Sequence, residues 1–454
     1  MMRLRICSLG LMVGLWLLPI PGRAQSDGVL VGDDASLLAG AVTAIVNDGS
    51  ALYYNPAGLQ LVDRNTVDLT ITAYSLRLYR IPDALVSTSG VSADANVTEV
   101  VIIPAAVSYV RTTKSGLRIG FGVFATSLAD YSQRANLTFA DAATGFDWDW
   151  LIQLSNEISV YHGIAGLGWS TRSRRLHFGA TLDLSYVGFS QSSQVGGGLI
   201  ANQDTGEAVL AASASSSLSL TGLGLRLGFG LLWNPTPAVS FGAAFQTASY
   251  LVFDDVSLQS VETAGTAEPL DSAIILNTLD VSGSDLGFER FEPYRWRLGL
   301  AYDFGKVLLS LDVDVQLDEA VSNSTWYATV NGRVGVLVVV SETLGIGFGG
   351  FTDRGTTPDE PVSFGEFIVD YYGFTAGLRL NKTRLLAASE EVPSITFEST
   401  FSIRYAIGLG TFAGAEVIDD LSTIDPDAPV LAQPNLVDLR IHEISFYVGG
   451  GVRF

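Results

Sequence analysis

Cysteine is almost missing from this chain: Cys7 is the only one in 454 residues. Disulfides, thiol chemistry and a cysteine-ligated zinc site are therefore excluded. Histidine is nearly as scarce. His162, His177 and His442 lie far apart in the sequence, no His/Cys/Asp/Glu group has metal-ligand spacing, and there is no Gly-x-Ser-x-Gly turn. A lipid hydrolase would have to draw a Ser–His pair from distant segments, so no enzyme, no metal and no cofactor is expected. Basic residues are few, 26 Lys and Arg against 47 Asp and Glu, and the formal charge is -21. Nucleic acid selects basic surfaces and is an unsuitable partner. Long apolar runs are also missing. Although 48% of the residues are hydrophobic, nothing after the N-terminal stretch approaches the ~20 consecutive apolar residues of a membrane helix.

The N-terminal stretch reads as a secretory leader. Arg3 and Arg5 precede an apolar run from Cys7 to Leu18, which Pro19, Pro21 and Gly22 break, with Ala24 at the cleavage edge. Residues 1–24 are assigned to this signal peptide, and its removal takes the only cysteine with it.

What the remainder holds in abundance is alternation. Val307, Leu309, Leu311, Val313, Val315 and Leu317 oppose Ser310, Asp312, Asp314, Gln316 and Asp318. Tyr294, Trp296, Leu298, Leu300, Tyr302 and Phe304 oppose Arg295, Arg297 and Asp303. At the C-terminal end Ile444, Phe446, Val448, Val452 and Phe454 oppose Glu443, Ser445, Tyr447 and Arg453. Period two with one apolar and one polar face is the pattern of a transmembrane β-strand. A final aromatic on such a strand resembles the insertion signal of bacterial outer-membrane barrels. Fourteen candidate strands follow residue 63, and the last should pair with the first near Val67 to Ala73. Short connections at 113–115, 171–173, 234–237, around 305 and around 341 alternate with long ones at about 81–98, 129–154, 192–216, 251–290, 354–366 and 413–438. That matches short periplasmic turns and long outer loops. The connection at 382–394 is long where a short one is due. The acidic residues of the long segments, among them Asp254, Asp255, Glu416 and Asp419, read as solvated surface, since their spacing fits no regular calcium loop.

Residues 25–63 do not alternate. Asp33, Asp34 or Ser36 is placed to cap a short helix through Ala39, Ala41 and Ile45, ended by Asn47-Asp48-Gly49. The segment then reads Ser50-Ala51-Leu52-Tyr53-Tyr54-Asn55-Pro56-Ala57-Gly58-Leu59. An Asn-Pro-Ala motif directly ahead of fourteen strands resembles the FadL/TodX family of outer-membrane hydrophobic-compound transporters. The third strand, Gly120 to Tyr131, is similar to the stretch where barrels of that family kink and open a hole in the wall. The resemblance implies an all-β fold: a transmembrane antiparallel barrel of about 14 strands (64–454) with a small N-terminal hatch (25–63) plugging the lumen. It implies passive outer-membrane transport of hydrophobic small molecules, long-chain fatty acids first and aromatic hydrocarbons second, with lateral release near the third strand. Asn55, Pro56, Ala57 and Gly58 carry the hatch motif, and Tyr53, Tyr54, Gly120, Gly122 and Phe124 are candidates for the ligand path. Among the arginines placed in the lumen by phase, Arg118, Arg295 and Arg297 are candidate partners for a substrate carboxylate, because guanidinium takes carboxylates in bidentate fashion. A monomer set in outer-membrane lipid and lipopolysaccharide is expected. The rivals are a scaffold or shuttle of the same architecture and a water-filled porin.

Overall fold

The computed structural model of the chain describes residues 29–140, 147–202, 207–266, 274–282, 290–321, 324–355, 361, 365–385, 394–417 and 432–454. The leader assignment and most of the acidic outer segments, including Asp419, lie outside these residues. Two short helices, α1 (Asp33–Leu37) and α2 (Ala51–Tyr54), and a 3-10 turn (Pro56–Leu61) come first. Strands follow: β1 (Thr66–Ser87), β2 (Ser92–Thr112), β3 (Arg118–Ala140), β4 (Asp147–Ser170), β5 (Leu176–Asn202), β6 (Glu207–Thr236), β7 (Val239–Gln246), β8 (Ser249–Thr266), β9 (Ile274–Ser282) and β10 (Arg290–Glu292). The second half holds β11 (Arg295–Asp303), β12 (Val307–Gln316), β13 (Glu319–Val321), β14 (Ser324–Trp326), β15 (Thr329–Val339), β16 (Leu344–Asp353), β17 (Phe367–Leu385), β18 (Ser394–Val417) and β19 (Ala432–Arg453).

Antiparallel pairing runs from β1 through β2, β3, β4, β5, β6 and β7. It continues through β11, β12, β15, β16, β17, β18 and β19. The last strand returns to β1, with Val67 opposite Val452 and Ile71 opposite Val448. The ring thus closes through fourteen strands. β8 continues the line of β7 beside β6, β10 continues that of β11, and β9 joins the wall at the outer rim as a fifteenth. Closure leaves no sheet edge at this height, which a lipid solvent requires.

The outer face is apolar, as the alternation demands. Leu182, Leu184, Phe229, Leu298, Leu311, Phe348, Phe401 and Phe446 are all exposed. Aromatic rings border this belt. Trp169 stacks on Phe178 and Trp233 on Phe241 near the short turns, while Tyr161 and Tyr186 meet eight residues higher. Eight tilted residues climb about 20 Å, so the two aromatic rows sit where the membrane interfaces fall.

The long segments expected as loops are largely strand. β5 and β6 extend to Asn202 and begin at Glu207, and β1 and β2 are joined by a turn at residues 88–91. The apolar exterior stops at the belt, so the alternation signal stops there too. The backbone ladder continues because the inner face stays buried. Above Tyr161, the outside of β4, β5, β6 and β8 carries Ser155, Ser192, Ser217 and Gln259 in register, a surface suited to water. The unexpectedly long connection near 382–394 has the same explanation, since β17 runs to Leu385 and pairs it with Ser394. The helix foreseen through Ile45 is shorter than expected. It ends at Leu37, where Ala39 turns to φ 54° and Gly40 to φ 81°.

Candidate functional site

The N-terminal segment fills the lumen at belt height. Its apolar residues Leu37, Leu38, Val42, Val46, Leu52, Tyr54 and Leu59 are buried and form one cluster with Val110, Phe124, Ile164 and Leu337 of the wall. Asn55 is the hinge pin. It caps the 3-10 turn by accepting from the Ala57 N–H (3.1 Å), and its amide donates to the Thr43 carbonyl (2.8 Å) and to Leu231 of β6 (3.1 Å). Pro56 sits at the first position of the turn, where its missing N–H costs nothing. The wall makes room with glycine. A Cβ at Gly179 would fall on the Pro56 carbonyl and one at Gly230 on the Asn55 side chain. Gly58 lets the turn lie against the Val46 carbonyl. Gly120 faces Leu52 and Leu59 of the hatch, and Gly122 gives space to the Phe124 ring.

Tyr53 and Tyr54 lie at the upper surface of the hatch, both buried, with rings edge-on at 5.2 Å. Tyr53 is 6.3 Å from Phe124 and 6.0 Å from His162 between ring centres. The Arg297 guanidinium lies 4.8 Å above Tyr53 and 5.1 Å from Tyr54, and donates to the Tyr53 carbonyl at 2.8 Å.

The lumen arginines are engaged by the protein itself. Arg295 holds Asp314 through its Nε at 2.8 Å, and Arg297 and Arg333 approach the same carboxylate at 3.4 and 3.5 Å. Arg77 bonds Glu443 (3.0 Å) and approaches Glu99 (3.5 Å), and Arg404 also grips Glu443. Arg118, at the lower end of β3, donates to the Val62 carbonyl at 2.7 Å. Arg295 and Arg297 are therefore structural partners of Asp314 and of the hatch, not cations held in reserve. Asp303, assigned to the lumen by phase, is instead exposed at the β11–β12 turn and accepts from the Gly305 N–H (2.6 Å). The hatch meets the β17–β19 wall through acids. Asp34 pairs with Arg379 (2.6 Å), and Arg379 and Arg453 share Glu398 (3.7 and 3.0 Å). Burial, reinforced by Asp48, Glu398, Asp68 and Asp34, holds the Asp33 carboxyl well above the usual carboxylate range. Burial also raises Asp48.

Above the hatch the lumen is apolar. Tyr79, Ile81, Leu137, Phe139, Trp148, Trp150, Ile152, Tyr371 and Phe412 belong to one buried cluster. Trp148 and Trp150 stack at 5.9 Å. Their indole N–H groups and the Gln133 side-chain oxygen are buried with no hydrogen-bond partner among the described residues.

Beside this cluster the wall changes. β2 and β3 are paired from Thr112–Arg118 up to Ala106–Phe124, and no further among the described residues. Above that point β2 pairs only with β1 and β3 only with β4. β3 carries an extra residue, Thr126, between the pairs Ala125–Tyr161 and Ser127–Val160. β1 shifts register between Thr72 and Tyr74 at the same height. The seam thus begins level with the outer aromatic row, inside the stretch from Gly120 to Tyr131. A sequence signal that the alternation argument does not use is Pro104 in β2, a residue with no N–H for a ladder and found in sheets mainly where a strand is an edge. The bulge itself flips the inward phase from Gly120, Gly122 and Phe124 to Gln133, Ala135 and Leu137, as the burial pattern records.

No protein-family model and no curated protein sequence matches this chain. Solved structures do. A Pseudomonas aeruginosa FadL homologue superposes with a TM-score of 0.59 at 12% identity, covering 94% of this chain and 99% of that one. The P. putida toluene transporter TodX gives 0.56 at 14% identity over 93% and 98%. The Ralstonia pickettii toluene transporter TbuX gives 0.52 at 14% identity over 96% and 100%. With its lipid-facing belt, closed ring and N-terminal hatch, the chain is an outer-membrane-type β-barrel with the FadL fold.

Proposed function

We propose that this protein is a passive outer-membrane channel for hydrophobic small molecules, which enter by the apolar cluster above the hatch and leave sideways between β2 and β3 at the outer border of the membrane. The observation that carries this reading is the conjunction of a lumen stoppered below with a wall unpaired beside an apolar cluster. A water-filled porin has no use for either feature. The fold shared with transporters of toluene agrees with it. Transfer into hydrocarbon supplies the drive, about 0.8 kcal/mol per CH₂. An unpaired backbone stretch is expensive next to lipid and persists where it is used.

The chemistry of the cluster favours neutral solutes over fatty-acid anions. Arg295 and Arg297 are opposed by Asp314, Arg77 and Arg404 by Glu443, Arg226 by Asp183 and Arg453 by Glu398, while Arg118 lies at the lower end of β3 and donates to the Val62 carbonyl. Within the cluster, the indole N–H groups of Trp148 and Trp150 and the Gln133 oxygen have no hydrogen-bond partner among the described residues, and all three are uncharged. An aromatic molecule, bare or with one hydroxyl, matches that inventory. The test is uptake by a strain lacking the gene, with and without the protein restored, for a labelled monoaromatic hydrocarbon and a labelled long-chain fatty acid. Restored uptake of the first and not the second is expected. Restoration of neither would favour the scaffold reading, and large steady currents in planar bilayers would favour a porin.

A further inference from the structure

A line of polar side chains crosses five strands just above the hatch, and the transport reading does not use it. Thr126 of β3 has its hydroxyl 3.0 Å from His162 Nε2 on β4. His162 Nδ1 lies 3.0 Å from the Asp183 carboxylate on β5. Arg226 of β6 bonds Asp183 through Nε (2.9 Å) and Nη2 (2.6 Å), and donates through Nη1 to Glu292 of β10 (2.8 Å). Thr126, His162, Asp183 and Arg226 are 2%, 0%, 2% and 4% exposed. The line begins at the one residue that does not fit the β3–β4 register.

That starting point is informative. A bulged residue loses its place in the ladder and needs another restraint to keep one geometry. A wholly buried imidazole needs both nitrogens satisfied, and the carboxylate at one nitrogen orients the other. Here the other nitrogen meets the bulged hydroxyl. Arg226 in turn holds the Asp183 carboxylate through two hydrogen bonds, so the restraint is anchored three strands away from the seam. Tyr53 of the hatch adjoins this line, its ring tilted against those of His162 and Phe124 at 6.0 and 6.3 Å.

We propose that Thr126, His162 and Asp183 form a latch that fixes the β3 bulge and so sets the width of the seam between β2 and β3. They are positioning residues, and the idea rests on that seam being the solute exit. The geometry resembles a hydroxyl–imidazole–carboxylate catalytic set, but Asp183 is paired with Arg226 and Thr126 is buried. The line is therefore suited to holding a shape, not to attacking a substrate.

The test is hydrogen–deuterium exchange on the full protein in lipid nanodiscs, read over 99–106 and 124–134, with 306–316 as a control. Thr126→Val removes only the hydroxyl and keeps the volume. His162→Phe removes the imidazole, and Thr126→Ser restores the hydroxyl. Faster exchange at the seam by roughly tenfold in the first two, as for loss of one buried hydrogen bond, with wild-type rates in Thr126→Ser and an unchanged control, is the expected result. Unaltered seam exchange in a folded Thr126→Val would overturn the latch. If Thr126→Val loosens the seam while aromatic uptake stays normal, the latch stands and the lateral-exit reading fails.

Discussion

The seating of the hatch on Asn55 is open to a sharp test. In Asn55→Ala, the Ala57 N–H and the Thr43 carbonyl lose a buried partner, and the part-buried Leu231 carbonyl loses one of its contacts. Leaving a buried polar group unsatisfied costs about 1–3 kcal/mol. The Leu231 carbonyl lies on a strand and retains a ladder partner, so the lower end of that range applies to it. The sum is roughly 3 kcal/mol of lost docking, and the Ala57 share agrees with the cost of losing an N-cap. Since 1.4 kcal/mol is tenfold, the unplugged population should rise on the order of a hundredfold. The assay is single-channel conductance in planar bilayers, where wild type should be almost silent and a deletion of residues 29–58 should conduct freely. Asn55→Ala should show brief openings of the deletion's amplitude at about a hundred times the wild-type frequency. If Asn55→Ala is as silent as wild type while the deletion conducts, the hatch is held by its apolar packing, and the argument from Asn55 fails.

Three further expectations follow from the same structure. Gly179→Val places carbon where the Pro56 carbonyl lies, so it should leak like Asn55→Ala while the barrel keeps its heat-modifiable mobility on gels; a silent channel would count against the glycine seat. Asp33 and Asp48 have raised carboxyl pKa values, so protonated acid is favoured in the seated hatch. The stability this provides is present below the ordinary aspartate range and declines as pH rises through the raised values. Openings should therefore become more frequent from pH 5 to pH 9, and less steeply so in Asp33→Asn; a flat profile in wild type would contradict this. Trp148→Ala removes a fully buried ring from the stacked pair and should lower stability by about 3–5 kcal/mol, read as a lower denaturant midpoint, together with weaker quenching of the remaining tryptophan fluorescence by a brominated aromatic.

Much of this molecule is written locally. Lipid demands that every second residue be apolar, and that demand is met within single segments such as 307–317 and 444–454. The outward belt, the near-complete strand count, the turns at one end and the pairing of the last strand with the first follow from it. The Asn55-Pro56-Ala57 turn is likewise local, since its cap is made within three residues. Where the chain leaves the lipid, the period fades although the strands do not, and that is why the tall outer wall reads as loops. Phase alone also misplaced Asp303, because a residue beside a turn is no longer bound by the pleat.

The sequence by itself thus determined the solvent and the barrel, because both rest on short-range periodicity, while a stopper was implied only by the resemblance that Asn55-Pro56-Ala57 carries. Only the tertiary structure decided how the inside is arranged. Whether Arg295 awaits a substrate or holds Asp314, whether Gly120 bends a strand or seats Leu52, and where β2 parts from β3 all depend on partners tens to hundreds of residues away. A guanidinium near a carboxylate is spent, and a bulge of one residue reverses every face above it. Neither can be known until the ring is closed.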